Sequence, residues 1–121
     1  MKKILVVDDD RLARGALKRA LEEAEFEVTE ASDGKEAFGL AENDKPNLII
    51  ADRQMPEMNG QELVEKIRKT EWGKSLPIIM LTGNEDTSAI NEALQANVSM
   101  YFTKSTVSLD EVVDAVRHLA R

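Results

Sequence analysis

The stretch LIIADRQMPEMNG, residues 48–60, decides the fold because an apolar run ends in a single acid and is followed by a turn. Residues 48–51 show no polar alternation, which is typical of a central strand that helices cover on both faces of a parallel sheet. Residues 54–60 contain the proline, asparagine and glycine of turns and helix starts. In such sheets, ligands bind at the carboxyl ends of the strands. We therefore expect Asp52, at the end of this strand, to serve chemistry rather than stability.

Composition narrows the class of protein. The chain has 121 residues, of which 42% are apolar and 32% are charged, and this suits one globular domain with a modest core. It has no cysteine and one histidine, which excludes disulfides, thiol nucleophiles and a histidine metal cluster within one subunit. A net charge of -7 disfavours direct binding of nucleic acid, and no apolar stretch is long enough to cross a membrane. We expect a cytoplasmic protein that binds other proteins.

The rest of the chain alternates between apolar runs and helical periodicity. The runs predict five strands, at residues 3–7, 27–31, 48–51, 78–81 and 100–103. Each strand is followed by a predicted helix. The first, second and fifth helices have predicted N-caps at Asp10, Asp33 and Ser108. The fourth helix includes residues 89–94 and is predicted to end near Asn97. Five strands alternating with five helices indicate an α/β, doubly wound fold, in which helices cover both faces of a parallel sheet.

Polar side chains follow the predicted strands at their carboxyl ends. Asp8 and Asp9 come after the first strand, and Asp52 ends the third. Thr82 ends the fourth strand, and Lys104 follows the fifth. With right-handed crossovers these ends emerge at one edge of the sheet, so we expect the five side chains to converge there.

Three carboxylates at one edge repel one another unless a cation neutralises them. Mg²⁺ is the natural cation, because it prefers oxygen ligands and often uses one or two carboxylates, and Mn²⁺ suits the same oxygens. The predicted metal ligands are Asp8, Asp9, Asp52 and a loop carbonyl near Gln54.

These groups also suit phosphoryl transfer. The carboxylate of Asp52 can act as a nucleophile and form an acyl phosphate. The reaction needs mainly positioning and charge neutralisation, for which Lys104 supplies a positive charge and Thr82 a hydroxyl. Gly83 offers a backbone N–H that a phosphate can approach without steric hindrance. Asp52 is therefore the predicted acceptor.

Four short motifs carry these groups, in order and over essentially the whole chain: VVDDD at residues 6–10, Asp52 with MP at 55–56 and NG at 59–60, LTG at 81–83, and YFTK at 101–104. Together they resemble the receiver domain of two-component response regulators. The resemblance implies a flavodoxin-like sheet with strand order 2-1-3-4-5. It further implies a single, chemotaxis-regulator-like receiver domain over residues 1–121 with no output domain.

The resemblance also implies a function. A histidine kinase or a histidine phosphotransfer protein would phosphorylate Asp52, with Mg²⁺ held by the acids that follow the first strand. Thr82 and Lys104 would contact the phosphoryl group, and Thr82 and Tyr101 would act as a switch. The switch would reshape the face formed by the fourth helix, the fifth strand and the fifth helix, where a downstream protein binds. As a catalyst, the domain would act only on its own phosphorylation and dephosphorylation.

The sequence departs from the family pattern after Lys104. Ser105 stands where a proline with a cis peptide bond is usual, and we expect a trans bond here, because a cis bond before serine costs about 2.5 to 4 kcal/mol. Asn97 and Val98 replace the usual Gly-Ala pair. We expect Gln54 and Asn84 to flank the path of an attacking water and to tune the hydrolysis rate of the acyl phosphate.

Three other functions compete with the phosphoacceptor hypothesis. Ser105 favours a receiver-like module that binds proteins without being phosphorylated. An aspartyl phosphatase would have a second acid two residues after the nucleophile, where this chain has Gln54. A flavin carrier would have a loop rich in glycine and hydroxyl groups after the first strand, where this chain has acids.

Overall fold

A computed structural model of the protein describes residues 1–55, 57–83 and 98–120. The strands are β1 (Lys3–Val7), β2 (Glu27–Ala31), β3 (Leu48–Asp52), β4 (Ile78–Thr82) and β5 (Met100–Thr103). The helices of the described residues are α1 (Arg11–Glu23), α2 (Gly34–Asp44), α3 (Gly60–Arg68) and the C-terminal helix (Leu109–Leu119). The predicted fourth helix and its end at Asn97 lie outside the described residues. None of the described helices is long and apolar enough to span a membrane.

The five strands form one parallel sheet in the order β2-β1-β3-β4-β5, which confirms the predicted flavodoxin-like topology. Register brings the carboxyl ends of the strands to one level. Val7 pairs with Ala51 and Asp52 pairs with Leu81. Thr82 pairs with Thr103, so Lys104 follows directly at the same edge.

The central strand β3 is buried along its whole length, as its unbroken apolar run predicts. Its side chains alternate between two hydrophobic clusters. Ile49 and Ala51 pack with core residues of α2 and α3, whereas Leu48 and Ile50 pack with core residues of α1 and the C-terminal helix. Helices therefore cover both faces of the sheet, and the doubly wound architecture is confirmed.

The helix starts follow the predicted capping signals. The carboxylate of Asp10 accepts hydrogen bonds from the first turn of α1, and Ser108 forms a capping box with Glu111. Asp33 caps α2 by accepting from the backbone N–H of Glu36 at 2.8 Å. The return bond differs from a capping box, because the Glu36 carboxylate accepts from the N–H of Ser32 at 2.8 Å rather than from the cap residue.

Candidate functional site

Three carboxylates converge at the carboxyl edge of the sheet. Asp8 and Asp52 are buried, with 1% and 7% of their surface exposed, whereas Asp9 is exposed. One carboxylate oxygen from each residue lies within 4.8 Å of the other two. Asp8, Asp9 and Asp52 are termed the acidic cluster below. The predicted convergence of these residues is present in the structure.

Lys104 reaches the acidic cluster from the end of β5. Its Nζ lies 2.9 Å from Oδ2 of Asp8 and 3.2 Å from Oδ2 of Asp52. The contact with Asp52 is a hydrogen bond, and the contact with the buried oxygen of Asp8 is a close ion pair. The backbone N–H of Lys104 donates to the carbonyl of Thr82, which ties the end of β5 to β4. One ammonium thus bridges the two buried carboxylates.

Burial and neighbouring charges shift the pKa values of Asp52 and Lys104. Burial raises the pKa of Asp52, and the charge of Asp8 raises it further, while the neighbouring Lys104 opposes both effects. Burial by itself would lower the pKa of Lys104, but the carboxylates of Asp8 and Asp52 outweigh burial and raise the pKa above its ordinary value. Lys104 therefore stays charged at neutral pH. With all three acids in the carboxylate form that a metal requires, one ammonium would leave two uncompensated negative charges, which a divalent cation matches.

The geometry of the acidic cluster fits Mg²⁺. Oxygen ligands lie 2.0–2.1 Å from this ion, so two ligands on opposite sides of it are about 4 Å apart. One oxygen from each carboxylate lies within 4.8 Å of the other two, so small movements would bring the three oxygens to that spacing, or a water could bridge the remaining gap. All three donors are carboxylates, the ligands that hard cations prefer.

An open cavity of about 470 Å³ gives access to the cluster and is lined by Asp9, Asp52, Gln54, Met55, Gly83 and Lys104. The backbone N–H of Gln54 donates to Oδ1 of Asp52 at 3.3 Å. Among the described residues, none places a heavy atom within 4 Å of the position that a Cβ on Gly83 would take, so none of them obstructs a ligand there. Asn84, the second residue predicted to tune hydrolysis, lies outside the described residues.

The two predicted switch residues lie in different surroundings. Thr82, at the end of β4, is 1% exposed. Tyr101, on β5, is half-buried and packs against the hydrophobic cluster on the side of α2 and α3. Neither residue is among the described residues that line the cavity, and their role in switching stays a prediction.

The peptide bond between Lys104 and Ser105 is trans, as expected from the serine. The following turn is closed on Thr103, whose carbonyl accepts from the backbone N–H groups of Thr106 and Val107 at 3.1 and 3.0 Å. The loop after β5 is thus a hydrogen-bonded turn that leaves Lys104 directed at the acidic cluster.

Sequence reasoning missed Arg14. Its Nη1 donates to the backbone carbonyl of Asp8 at 2.7 Å, and its Nε donates to Glu30 on β2 at 3.1 Å. The available signal was an arginine one turn after the helix cap Asp10, but its partner on β2 is 16 residues away and is fixed only by strand register.

The fold and the site together define a class of protein, and comparison with known proteins identifies it. The family model of the response regulator receiver domain matches residues 4–117. The chain belongs to this family and is a receiver domain of two-component signalling. The recognition made from the four sequence motifs is confirmed.

Relatives with curated names are response regulators. The chain is 37% identical over 119 residues to the response regulator MprA of Mycolicibacterium vanbaalenii, and the match covers 98% of this chain and 50% of that protein. It is 36% identical to MprA of Mycobacterium avium, over 98% of this chain and 51% of that protein. The chain thus spans about half the length of these relatives.

Solved structures show the same fold over nearly the full chain. The chemotaxis protein CheY4 of Vibrio cholerae superposes with a TM-score of 0.91 and 29% identity, covering 98% of each chain. The receiver domain of the Francisella response regulator 1452 has a TM-score of 0.91 and 32% identity, covering 99% of this chain and 97% of that one.

Proposed function

We propose that this receiver domain takes a phosphoryl group onto Asp52 in a reaction that depends on Mg²⁺. The donor would be a histidine kinase or a histidine phosphotransfer protein in the cytoplasm. One observation carries the proposal: Asp52 lines an open cavity together with Lys104 and Asp9, and a carboxylate oxygen of the buried Asp8 lies within 4.8 Å of oxygens of Asp9 and Asp52. The proposed acceptor, a cationic group and the proposed metal ligands therefore lie at one place, which supports the proposal.

In the proposed reaction, an oxygen of the Asp52 carboxylate forms a bond to phosphorus while the bond from phosphorus to the imidazole nitrogen of the donor breaks. The residues that would hold Mg²⁺ are Asp8, Asp9 and Asp52, with a carbonyl near Gln54. A bound Mg²⁺ would neutralise charge on the phosphoryl oxygens and on the carboxylates.

The remaining groups act on the phosphoryl group once it is bound. Lys104 keeps its charge, because the surrounding carboxylates raise its pKa, and it can exchange its contact with Asp52 for one with a phosphoryl oxygen. The hydroxyl of Thr82 and the N–H of Gly83 would donate further hydrogen bonds. Movement of Thr82, followed by Tyr101, would then alter the face formed by the predicted fourth helix, β5 and the C-terminal helix.

The output of this switch would be binding of a downstream protein. The net charge of -7 disfavours direct contact with nucleic acid phosphates. A receiver-like module that binds proteins without phosphorylation is the runner-up, and the departure at Ser105 was its main support. That departure leaves Lys104 within 3.2 Å of Asp52, so it gives the alternative no structural advantage.

Acetyl phosphate with Mg²⁺ should add one phosphoryl group to the protein. The added mass should be lost on brief alkaline treatment, since acyl phosphates hydrolyse readily, and should not form when EDTA removes the metal. Intact mass spectrometry measures both effects on the same sample. Mn²⁺ should replace Mg²⁺, because it prefers the same oxygen ligands. A protein that gains no mass with either metal would contradict the proposal and favour the phosphorylation-independent module.

A further inference from the structure

Arg14, in the first turns of α1, connects the backbone beneath the acidic cluster to the edge strand β2. Its Nη1 donates to the carbonyl oxygen of Asp8 at 2.7 Å, and its Nε donates to Oε1 of Glu30 at 3.1 Å. The side chain of Arg14 is 16% exposed, so both contacts are partly shielded from water. The guanidinium is a rigid planar fork. Glu30 therefore fixes the direction from which Arg14 reaches Asp8.

The same turn is held at several other points. The backbone N–H of Asp8 donates to the carbonyl of Ala31 at 3.1 Å. Oδ1 of Asp8 accepts from the N–H of Asp10 at 2.9 Å, and the carbonyl of Asp10 accepts from the N–H of Arg14 at 3.0 Å. The Arg14 side chain donates to the backbone carbonyl of Asp8. Arg14 thus holds the peptide that joins Asp8 to Asp9.

We propose that Arg14 is a positioning residue for the divalent cation, and that Glu30 orients Arg14 for this role. Holding the Asp8–Asp9 peptide preorganises two carboxylates of the acidic cluster before the metal arrives. Groups that orient metal ligands without touching the metal typically change affinity about 10- to 100-fold when they are removed. The inference rests on the proposed function, because it concerns the same magnesium site.

Charge and position predict opposite effects for Arg14. The guanidinium is positive and lies beside the turn that carries two of the proposed ligands, so by charge alone it repels a divalent cation. If charge were its main effect, removing it would tighten Mg²⁺ binding. If position is its main effect, removing it weakens Mg²⁺ binding. The direction of the change therefore separates the two roles.

Arg14→Met should raise the dissociation constant for Mg²⁺ about 10-fold, measured by isothermal titration calorimetry without a phosphodonor. Phosphorylation by acetyl phosphate should slow at low Mg²⁺ and recover towards the wild-type rate at saturating Mg²⁺. Arg14→Lys should fall between wild type and Arg14→Met, because an ammonium can donate to Asp8 but lacks the fork that also engages Glu30.

Lys18→Met is the matched control. Lys18 lies 3.6 Å from Oε2 of Glu30, so the substitution removes the other cation on the same carboxylate and leaves the contact between Arg14 and Asp8 in place. Its Mg²⁺ dissociation constant should equal that of the wild type. A tenfold loss of affinity in Lys18→Met, in which the bond from Arg14 to Asp8 is retained, would mean that Mg²⁺ affinity does not depend on that bond, and would overturn the inference.

The outcomes distinguish the inference from the proposal on which it rests. A wild-type protein that binds no Mg²⁺ would overturn the proposed function and the role of Arg14 together. Wild-type binding with an equal or tighter constant in Arg14→Met would overturn the role of Arg14 alone, even if that variant unfolds more readily. If Arg14→Met does not fold, Arg14→Lys and Glu30→Gln decide the question, and unchanged Mg²⁺ affinity in both would overturn it.

Discussion

Asp52→Asn should accept no phosphoryl group from acetyl phosphate and Mg²⁺ under conditions that label the wild-type protein. The amide nitrogen and oxygen of asparagine are poor nucleophiles, and the substitution keeps nearly the same shape at the end of β3. The loss of labelling should be complete rather than partial, because the neighbouring acids are held by other contacts or are proposed metal ligands. Asp8 pairs with Lys104 and with the N–H of Asp10. Intact mass spectrometry over a time course measures the result.

Asp44→Asn makes the same chemical change at an exposed position at the end of α2 and serves as the control. It should be labelled at the wild-type rate. Persistent labelling of Asp52→Asn that is lost in alkali would show that another carboxylate accepts the phosphoryl group and would refute the assignment of Asp52.

Asp52→Asn should also be more stable towards unfolding than the wild type at neutral pH. Burial raises the pKa of Asp52 in the folded state, so the folded protein binds its proton more tightly than the unfolded chain does. The favourable contribution of Asp52 is therefore present below about pH 3.9, the unfolded value, and is lost as pH rises through the raised folded value. Asparagine does not ionise, so Asp52→Asn does not lose this stability as the pH rises.

Urea unfolding at several pH values tests the sign of the difference in unfolding free energy between Asp52→Asn and the wild type. The stability advantage of Asp52→Asn should be largest near pH 7 and should shrink as the pH falls towards 4. Loss of labelling in a variant that is more stable cannot come from unfolding. A variant that is less stable than the wild type at pH 7 would mean that the ion pair with Lys104 outweighs the cost of burying the carboxylate.

The convergence of five side chains from the ends of four strands was predictable because it follows from two simple rules. Strands of an alternating α/β chain run parallel, and their carboxyl ends therefore share one edge. Each of Asp8, Asp52, Thr82 and Lys104 directly ends or follows an apolar run, so the sequence alone sufficed to bring them to the same edge. Local capping signals were equally direct, because a cap and its partner lie within a few residues.

Contacts that depend on side-chain reach across the fold were not predictable in this way. The bond from Arg14 to Glu30 requires β2 to pair with β1 in the register that sets Val6 beside Glu30. The simultaneous contact of Lys104 with Asp8 and Asp52 depends on the relative positions of the ends of β1, β3 and β5 in the sheet. Periodicity gives the face and the end of an element but not these distances.

The packing of Gly60 was likewise not predictable from periodicity. Its position after Asn59 marked it as a turn residue, but the structure gives it a steric role. A Cβ on Gly60 would lie 2.4 Å from the carbonyl oxygen of Asp52 and 3.0 Å from Cα of Arg53. The backbone N–H of Gly60 also donates to the carbonyl of Arg53 at 2.9 Å. The first residue of α3 is thus packed directly against the backbone that carries Asp52.

Gly60→Ala should destabilise the protein by about 1 to 3 kcal/mol, because the atoms that the new methyl group meets are backbone and cannot rotate away. Gly39→Ala makes the same change within α2, where, apart from the neighbouring backbone of the helix itself, no heavy atom of the described residues lies within 4 Å of the new Cβ. It should stabilise the protein by about 1 kcal/mol, since alanine is the better helix former. Urea unfolding midpoints at an unchanged slope measure both values.

The two glycine variants should also differ in phosphorylation. The methyl group in Gly60→Ala can be accommodated only if α3 and the end of β3 move apart, and that movement displaces Asp52 from Lys104 and from the rest of the acidic cluster. Labelling by acetyl phosphate should therefore slow in Gly60→Ala at temperatures where the variant is fully folded, whereas Gly39→Ala should match the wild type. Equal stability changes of the same sign in both variants would contradict the steric argument. Wild-type labelling in a destabilised Gly60→Ala would instead mean that the helix yields while the strand keeps its place.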